Sequence, residues 1–154
     1  MWNHLWRFDH QVNANNTWGI RHVVEWSPTY DQISGRITLA SKVDEKDLDR
    51  TTVGTWNSVF SNTRFNTFKA STTYENNGFA STEYYSGTPQ DQLPPRLSML
   101  TFTDGTTTSA GARINKNFEA NDTFSWFVPS KTRGEHQLKM GVQFIMASIA
   151  LPSD

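Results

Sequence analysis

The sequence predicts an all-β chain, an antiparallel up-and-down meander whose strands are long enough to cross a bilayer. Three observations carry this expectation. Both ends alternate strictly between apolar and polar residues, the alternating runs are longer than strands of soluble sheets, and the connections between runs alternate between short and long. In Trp2 to Asn13 the even positions read Trp2, His4, Trp6, Phe8, His10 and Val12, against Asn3, Leu5, Arg7, Asp9, Gln11 and Asn13. In Gln137 to Met146, Leu138, Met140, Val142, Phe144 and Met146 oppose Gln137, Lys139, Gly141 and Gln143. A period of two puts one set on each face of a strand. Soluble strands run about 5 to 6 residues, whereas a strand tilted across a bilayer needs about 9 to 11.

The first strand ends at Asn13, where Ala14, Asn15 and Asn16 supply residues suited to a tight turn. A second alternating run follows, with Trp18, Ile20, His22, Val24 and Trp26 on one face and Thr17, Gly19, Arg21, Val23 and Glu25 on the other. Opposed residues share a face, so the apolar sets meet only if even positions face even positions. A two-residue loop at Asn15 and Asn16 fails that test; a three-residue loop pairing Asn13 with Thr17 passes and sets Asp9 opposite Arg21. The stretch Ser27 to Val53 reads as a long polar loop, with strand extensions around Arg36 to Ala40. A third strand, Gly54 to Ser61, turns through Asn62, Thr63 and Arg64 into a fourth, Phe65 to Glu75.

From Asn76 to Asn121 the glycines, prolines and threonines predict a long irregular region holding two short strands, Leu97 to Phe102 and Ala112 to Phe118. A fifth strand, Thr123 to Val128, and a turn, Pro129 to Glu135, lead into the last strand, His136 to Ala147. Short turns on one side and long loops on the other are the layout of an outer-membrane barrel, whereas a β-sandwich spaces its turns evenly. Trp18 and Trp26 share a face eight residues apart, roughly 20 Å along the normal of a tilted strand and close to the ~25 Å apolar band of a barrel.

Composition agrees. Hydrophobic residues make up 36% of the 154-residue chain, thin for a soluble core, yet aromatics reach 13%, including six Trp and ten Phe. Barrels combine these features because only alternate residues face lipid and aromatic girdles mark the interfaces. A net charge of −1 gives no reason to expect nucleic acid as a partner, and the absence of cysteine excludes disulfides and thiol chemistry. Met1 runs straight into the strand pattern with no leader, so residues 1–154 are expected to be one part of a barrel domain from a longer exported protein, without signal peptide or plug.

Four strings, in order, carry a resemblance: R-F-D-H-Q-V-N-A-N-N-T-W (Arg7 to Trp18), V-G-T-W-N-S-V-F-S-N-T-R-F-N-T-F (Val53 to Phe68), N-D-T-F-S-W-F-V-P-S-K (Asn121 to Lys131) and G-E-H-Q-L-K-M-G-V-Q-F (Gly134 to Phe144). Together they resemble the barrel of Oar-like TonB-dependent transporters. The resemblance implies a plugged barrel of about 22 strands that moves a substrate across the Gram-negative outer membrane with energy transmitted by the inner-membrane TonB complex. It implies as partners the outer-membrane lipid, the remaining barrel strands, the plug and the TonB complex, and it assigns transport to the parent protein.

Candidate chemistry is sparse. Asp44, Glu45, Asp47 and Asp49 could collect around calcium, but Lys42, Lys46 and Arg50 compete for the same carboxylates and an EF-hand's glycine and terminal glutamate are missing, which favours a solvated loop. His4, His10 and His22 lie among the apolar positions, and the three-residue loop makes His10 and His22 diagonal neighbours; with no third ligand they read as interface residues. His136 sits at a turn. No nucleophile, metalloprotease or phosphate-loop motif occurs, so no enzyme is expected and no catalytic, cofactor or metal residue is assigned. Arg7, Asp9, Gln11, Arg21, Glu25, Lys69, Glu75 and Lys139 are expected to line the lumen or contact the plug, with Asp9 and Arg21 neutralising one another. The other function class is a secreted β-sandwich that binds carbohydrate through exposed aromatics, its even-numbered apolar residues buried against a second sheet.

Overall fold

A computed structural model describes residues 1–32, 38, 41–81, 87–106, 111–129 and 134–151. Its strands are β1 (Trp2–Asn13), β2 (Asn16–Trp26), β3 (Thr29–Gln32), β4 (Val43–Ser61), β5 (Arg64–Ser81), β6 (Leu97–Ser98), β7 (Thr103–Asp104), β8 (Gly111–Val128) and β9 (His136–Ala150). Six long strands form one antiparallel sheet in the order β1-β2-β4-β5-β8-β9, with β3 paired to β4. β6 and β7 make a separate hairpin. The meander expected from the sequence is present, and the sheet is not closed, leaving β1 and β9 as edges.

Away from the hairpin turns, even positions face even positions along every long ladder: Trp6 with His22, Ile20 with Gly54, Gly54 with Ala70, Ala70 with Ala120, and Ala120 with Phe144. The even residues of six strands therefore form one continuous face and the odd residues the other. This is a single layer. Among the described residues Ala80 is the one buried hydrophobic side chain, while Trp6 and Val142 are 69% exposed and Phe144 57%. A β-sandwich would cover these even-numbered residues with a second sheet; among the described residues none lies over them.

Four expectations about element bounds need correction. Residues 43–53 belong to β4 and not to a loop, because each backbone group from Val43 onward has a partner strand in β5. The Asn76 to Ser81 stretch likewise continues β5, and the two pieces predicted as Ala112 to Phe118 and Thr123 to Val128 are one strand, β8. Ladder bonds on both flanks outweigh the turn preference of Asn121 and Asp122. Leu97 to Phe102 reduces to the two residues of β6. The extension predicted around Arg36 to Ala40 lies, apart from Thr38, outside the described residues.

The first turn also differs. Asn13 pairs with Asn16, so the loop is Ala14 and Asn15, while Gln11 pairs with Thr17. A bulge at Val12 absorbs the odd residue and restores the even-to-even phase. The Asn13 side chain sets this turn: its Oδ1 accepts the Asn15 amide at 2.9 Å and the Asn16 side-chain amide at 3.0 Å.

The hairpins step down the sheet by a constant amount. Asn16 is level, through Ser58, with Asn66 on β5. The next hairpin closes at Ser61 and Arg64, two residues lower. The third closes at Val128 and His136, two residues below Trp126, which itself faces Arg64. One residue of stagger per strand, at ~3.4 Å rise and ~4.8 Å strand spacing, tilts the strands by about 35°, the lower end of the barrel range.

Two aromatic levels mark the even face. Low on β5 the Arg64 guanidinium lies 4.8 Å from the Trp126 ring centroid. Ten residues higher, Tyr74 has the Arg50 guanidinium and the Lys116 ammonium each 6.0 Å from its ring centroid. With the tilt above, the two levels are about 28 Å apart, and Trp18 and Trp26 on β2 about 22 Å, bracketing the ~25 Å apolar band of a barrel.

Above the upper level β4, β5 and β8 continue as a ladder, capped by the β6–β7 hairpin together with Thr38 and Ser41. The Thr38 amide donates to the Thr103 carbonyl at 3.0 Å, and the Ser41 hydroxyl donates to the Gly105 carbonyl at 2.5 Å. The Thr38 hydroxyl, followed by the Gly105 amide, holds the Asp104 carboxyl below the usual carboxylate range. Gly105 has φ +76°, and a Cβ there would collide with the Pro95 carbonyl, so this close crossing needs glycine.

Candidate luminal site

The odd-numbered face carries the charged residues expected at the lumen, joined by Glu45, Asp47, Asp49 and Arg113, and sorts them by height. Near the short turns lie Arg7, Asp9, Gln11, Arg21, Lys69 and Lys139. Near the long connections lie Glu25, Glu45, Asp47, Asp49, Glu75 and Arg113. The lower group, apart from Lys139, borders an open trough of about 790 Å³, lined by Arg7, Asp9, Gln11, Arg21, Asn57 and Lys69 among others.

Within the trough Arg7 and not Arg21 partners Asp9. The bulge at Val12 shifts the register so that Arg7 faces Arg21 and Asp9 faces Gly19. Arg7 Nε donates to Asp9 Oδ2 at 2.6 Å and Nη2 to Oδ1 at 3.2 Å, a two-point contact along one face of β1. The expected neutralisation of Asp9 by Arg21 is therefore not made. Gly19 is small for a reason visible in the geometry: a Cβ there would sit 2.5 Å from Asp9 Oδ1. Arg21, Lys69 and Lys139 have no carboxylate within ion-pair distance among the described residues.

The acidic residues predicted as one loop cluster divide between faces. Asp44 points to the even side and accepts the Asp31 amide at 2.8 Å. Glu45 accepts the Gln32 side-chain amide at 3.0 Å and that of Asn77. Asp49 falls in a row across three strands, opposite Glu25 on one side and Glu75 on the other, with Glu75 accepting the Asn115 side-chain amide at 2.8 Å. The luminal membership of Asp47 and Asp49 was missed from sequence, although carboxylates at 45, 47 and 49 share the parity of Glu25 and Glu75.

His10 and His22 are not neighbours. His10 faces Trp18, with ring centroids 6.0 Å apart, and His22 faces Trp6 at 5.6 Å. His22 Nδ1 is also 2.8 Å from the Thr52 hydroxyl. His10 thus sits among aromatic rings and His22 between an aromatic ring and a hydroxyl, both on the even face. Among the described residues no group of three or more His, Asp or Glu could hold a metal ion.

β9 changes character along its odd face: Lys139 and Gln143 give way to Ile145, Ala147 and Ile149. Ile145 and Ile149 are exposed there, as is Leu5 on β1. Sequence reading stopped this face at Gln143 and did not register the apolar upper part.

Over residues 1–151 the chain matches the family described as the outer membrane beta barrel domain. The chain belongs to that family. No curated protein and no solved structure matches it. Membership places the barrel domain in the outer membrane and gives each face its solvent. The even face, with Trp6, Phe8, Ile20, Val142 and Phe144, meets lipid between the two aromatic levels; the odd face of the barrel domain is the polar luminal one. The short turns then lie on the periplasmic side and the β6–β7 cap on the extracellular side.

Proposed function

We propose that this arc belongs to a larger, plugged barrel of the TonB-dependent type, which carries a substrate across the outer membrane with energy from the inner-membrane TonB complex. The carrying observation is the state of the luminal charges. Arg21, Lys69, Lys139, Glu25 and Asp47 share one face without ion pairs among the described residues, and unpaired charges of this kind require water or a polar polypeptide against them. A small barrel filled by its own side chains offers neither. The exposed Leu5, Ile145 and Ile149 on the same face favour a polypeptide, the plug, over water alone. The free edges of β1 and β9 call for further strands to close the wall. The four strings that resemble Oar-like transporters point the same way.

The test is a photo-crosslinking residue at Lys69 in the full-length protein in intact outer membranes. A crosslink to a globular segment of the same polypeptide, outside the barrel, is expected. A luminal Lys69 position that reacts with no polypeptide, with small water-soluble reagents reaching it freely from outside, would overturn the plugged reading.

A further inference from the structure

At the extracellular boundary the even face carries a row that luminal function does not use. Val24, Arg50, Tyr74, Lys116 and Ser148 stand directly opposite one another across five strands. Arg50 and Lys116 flank the Tyr74 ring from either side, each 6.0 Å from its centroid. Both side chains are exposed, and neither has a carboxylate within ion-pair distance among the described residues. Two unpaired cations on the lipid-facing side, at the upper aromatic level, lie where the headgroups of the outer leaflet begin.

The surface around them has matching shape. A depression of about 500 Å³ runs from Arg50 and Lys116 past Thr52 and Thr72 to Phe118 and Met146. Below it, one row reads Gly54, Ala70 and Ala120, flanked by Ile20 and Phe144. Small side chains there leave a shallow band across β4, β5 and β8, between the larger Ile20 and Phe144. The upper end offers two cations and hydroxyls to an anion; the lower end offers apolar walls to a chain.

We propose that Arg50, Tyr74 and Lys116 form a binding site for a phosphate-bearing lipid of the outer leaflet, with the phosphate held between guanidinium and ammonium and an acyl chain over Phe118 and Met146. Arg50 supplies planar two-point hydrogen bonding to phosphate oxygens, Lys116 a point charge, and Tyr74 a rigid spacer that orients both stems. The site rests on the lipid-facing assignment of the even face and is independent of transport. At the opposite boundary, among the described residues, Arg64 over Trp126 has no second cation on the same ring.

The experiment uses the full-length protein in nanodiscs containing either diphosphoryl lipid A or the same lipid with both phosphates removed, with bound lipid counted by native mass spectrometry. Retention of the diphosphoryl form in preference to the dephosphorylated one is expected, with inorganic phosphate failing to displace it. The double variant R50Q/K116Q is expected to weaken retention by about thirtyfold, and the charge-preserving R50K/K116R to stay within about threefold of the wild type. Equal retention of both lipids by the unaltered protein would overturn the proposal, as would wild-type retention by R50Q/K116Q. Displacement by inorganic phosphate would also overturn it, by showing a site for the free ion. A spin label at Val142 in the same nanodiscs keeps the outcomes separable: a lipid-exposed label with no phosphate preference condemns this site alone.

Discussion

Phe144→Arg is expected to destabilise the folded protein in a bilayer by about 2–4 kcal/mol, whereas Gln143→Arg on the opposite face changes stability by about 1 kcal/mol or less. Phe144 lies between the two aromatic levels on β9, in the row of Ala120, Ala70, Gly54 and Ile20. Its ring is 6.3 Å from that of Phe118. A guanidinium there must leave water for hydrocarbon or drag headgroups inward; Ala120 stands opposite it, and the diagonal carboxylate, Asp122, already accepts the Asn66 side-chain amide. Gln143 is one residue away on the luminal face, where its side-chain amide donates to Glu119 at 2.6 Å. An arginine there keeps both water and a carboxylate within reach. Reversible denaturant unfolding of the full-length protein in lipid vesicles measures both variants. Equal losses would mean that the two faces see the same solvent, contrary to the parity of the sheet.

Gly141→Val is the second large effect. A Cβ at Gly141 would lie 2.9 Å from the Asp122 backbone carbonyl, so the fixed β8 ladder, and not a movable side chain, opposes it. Overpacking of this kind costs about 1–3 kcal/mol, here concentrated on the β8–β9 pairing. Gly54→Val provides the contrast. A Cβ at Gly54 meets nothing nearer than the Ala70 carbonyl at 3.9 Å, an ordinary contact. A β-branched residue suits a strand and removes backbone freedom from the unfolded chain, so this change is expected to be neutral or slightly stabilising. Hydrogen exchange of the β8–β9 amides, with the thermal midpoint, reads the difference: rapid exchange at Asp122 and Thr123 in Gly141→Val, native protection in Gly54→Val.

Parity was the most legible property of this chain, because it depends only on alternation within each strand and on the demand that apolar faces meet. The even set read from Trp2 to Trp26 and Leu138 to Met146 is the lipid face. Register was less legible. Asn13 could serve as the last ladder residue before a three-residue loop or as the side chain that ties a two-residue one, and only the structure shows its Oδ1 holding Asn15 and Asn16. That choice moved Asp9 from Arg21 to Gly19 and separated His10 from His22.

Strand length failed in the opposite way. The Lys42 to Arg50 run looked like a solvated loop because charge density is a sound local signal for one. In β4 the charges from Asp44 to Asp49 stand above the upper aromatic level in a ladder flanked by β2, β3 and β5, so its backbone bonds are supplied by neighbours distant in sequence. Glu119 to Asp122 in β8 was obscured similarly. Asp122 lies on the even face and accepts the Asn66 side-chain amide at 2.6 Å, a partner 56 residues away that no local pattern reveals. The row of Arg50, Tyr74 and Lys116 shared this limit, since three strands had to be aligned before its members met.

The central claim is that even-numbered residues face hydrocarbon and odd-numbered residues face the lumen across the whole sheet. Spin labels at Val142 and at Gln143, compared for collision with oxygen and with a water-soluble nickel reagent, test it most directly. The label at Val142 is expected to favour oxygen and exclude the nickel reagent, and the label at Gln143 to show the reverse or contact with protein. A water-exposed label at Val142 would contradict the account.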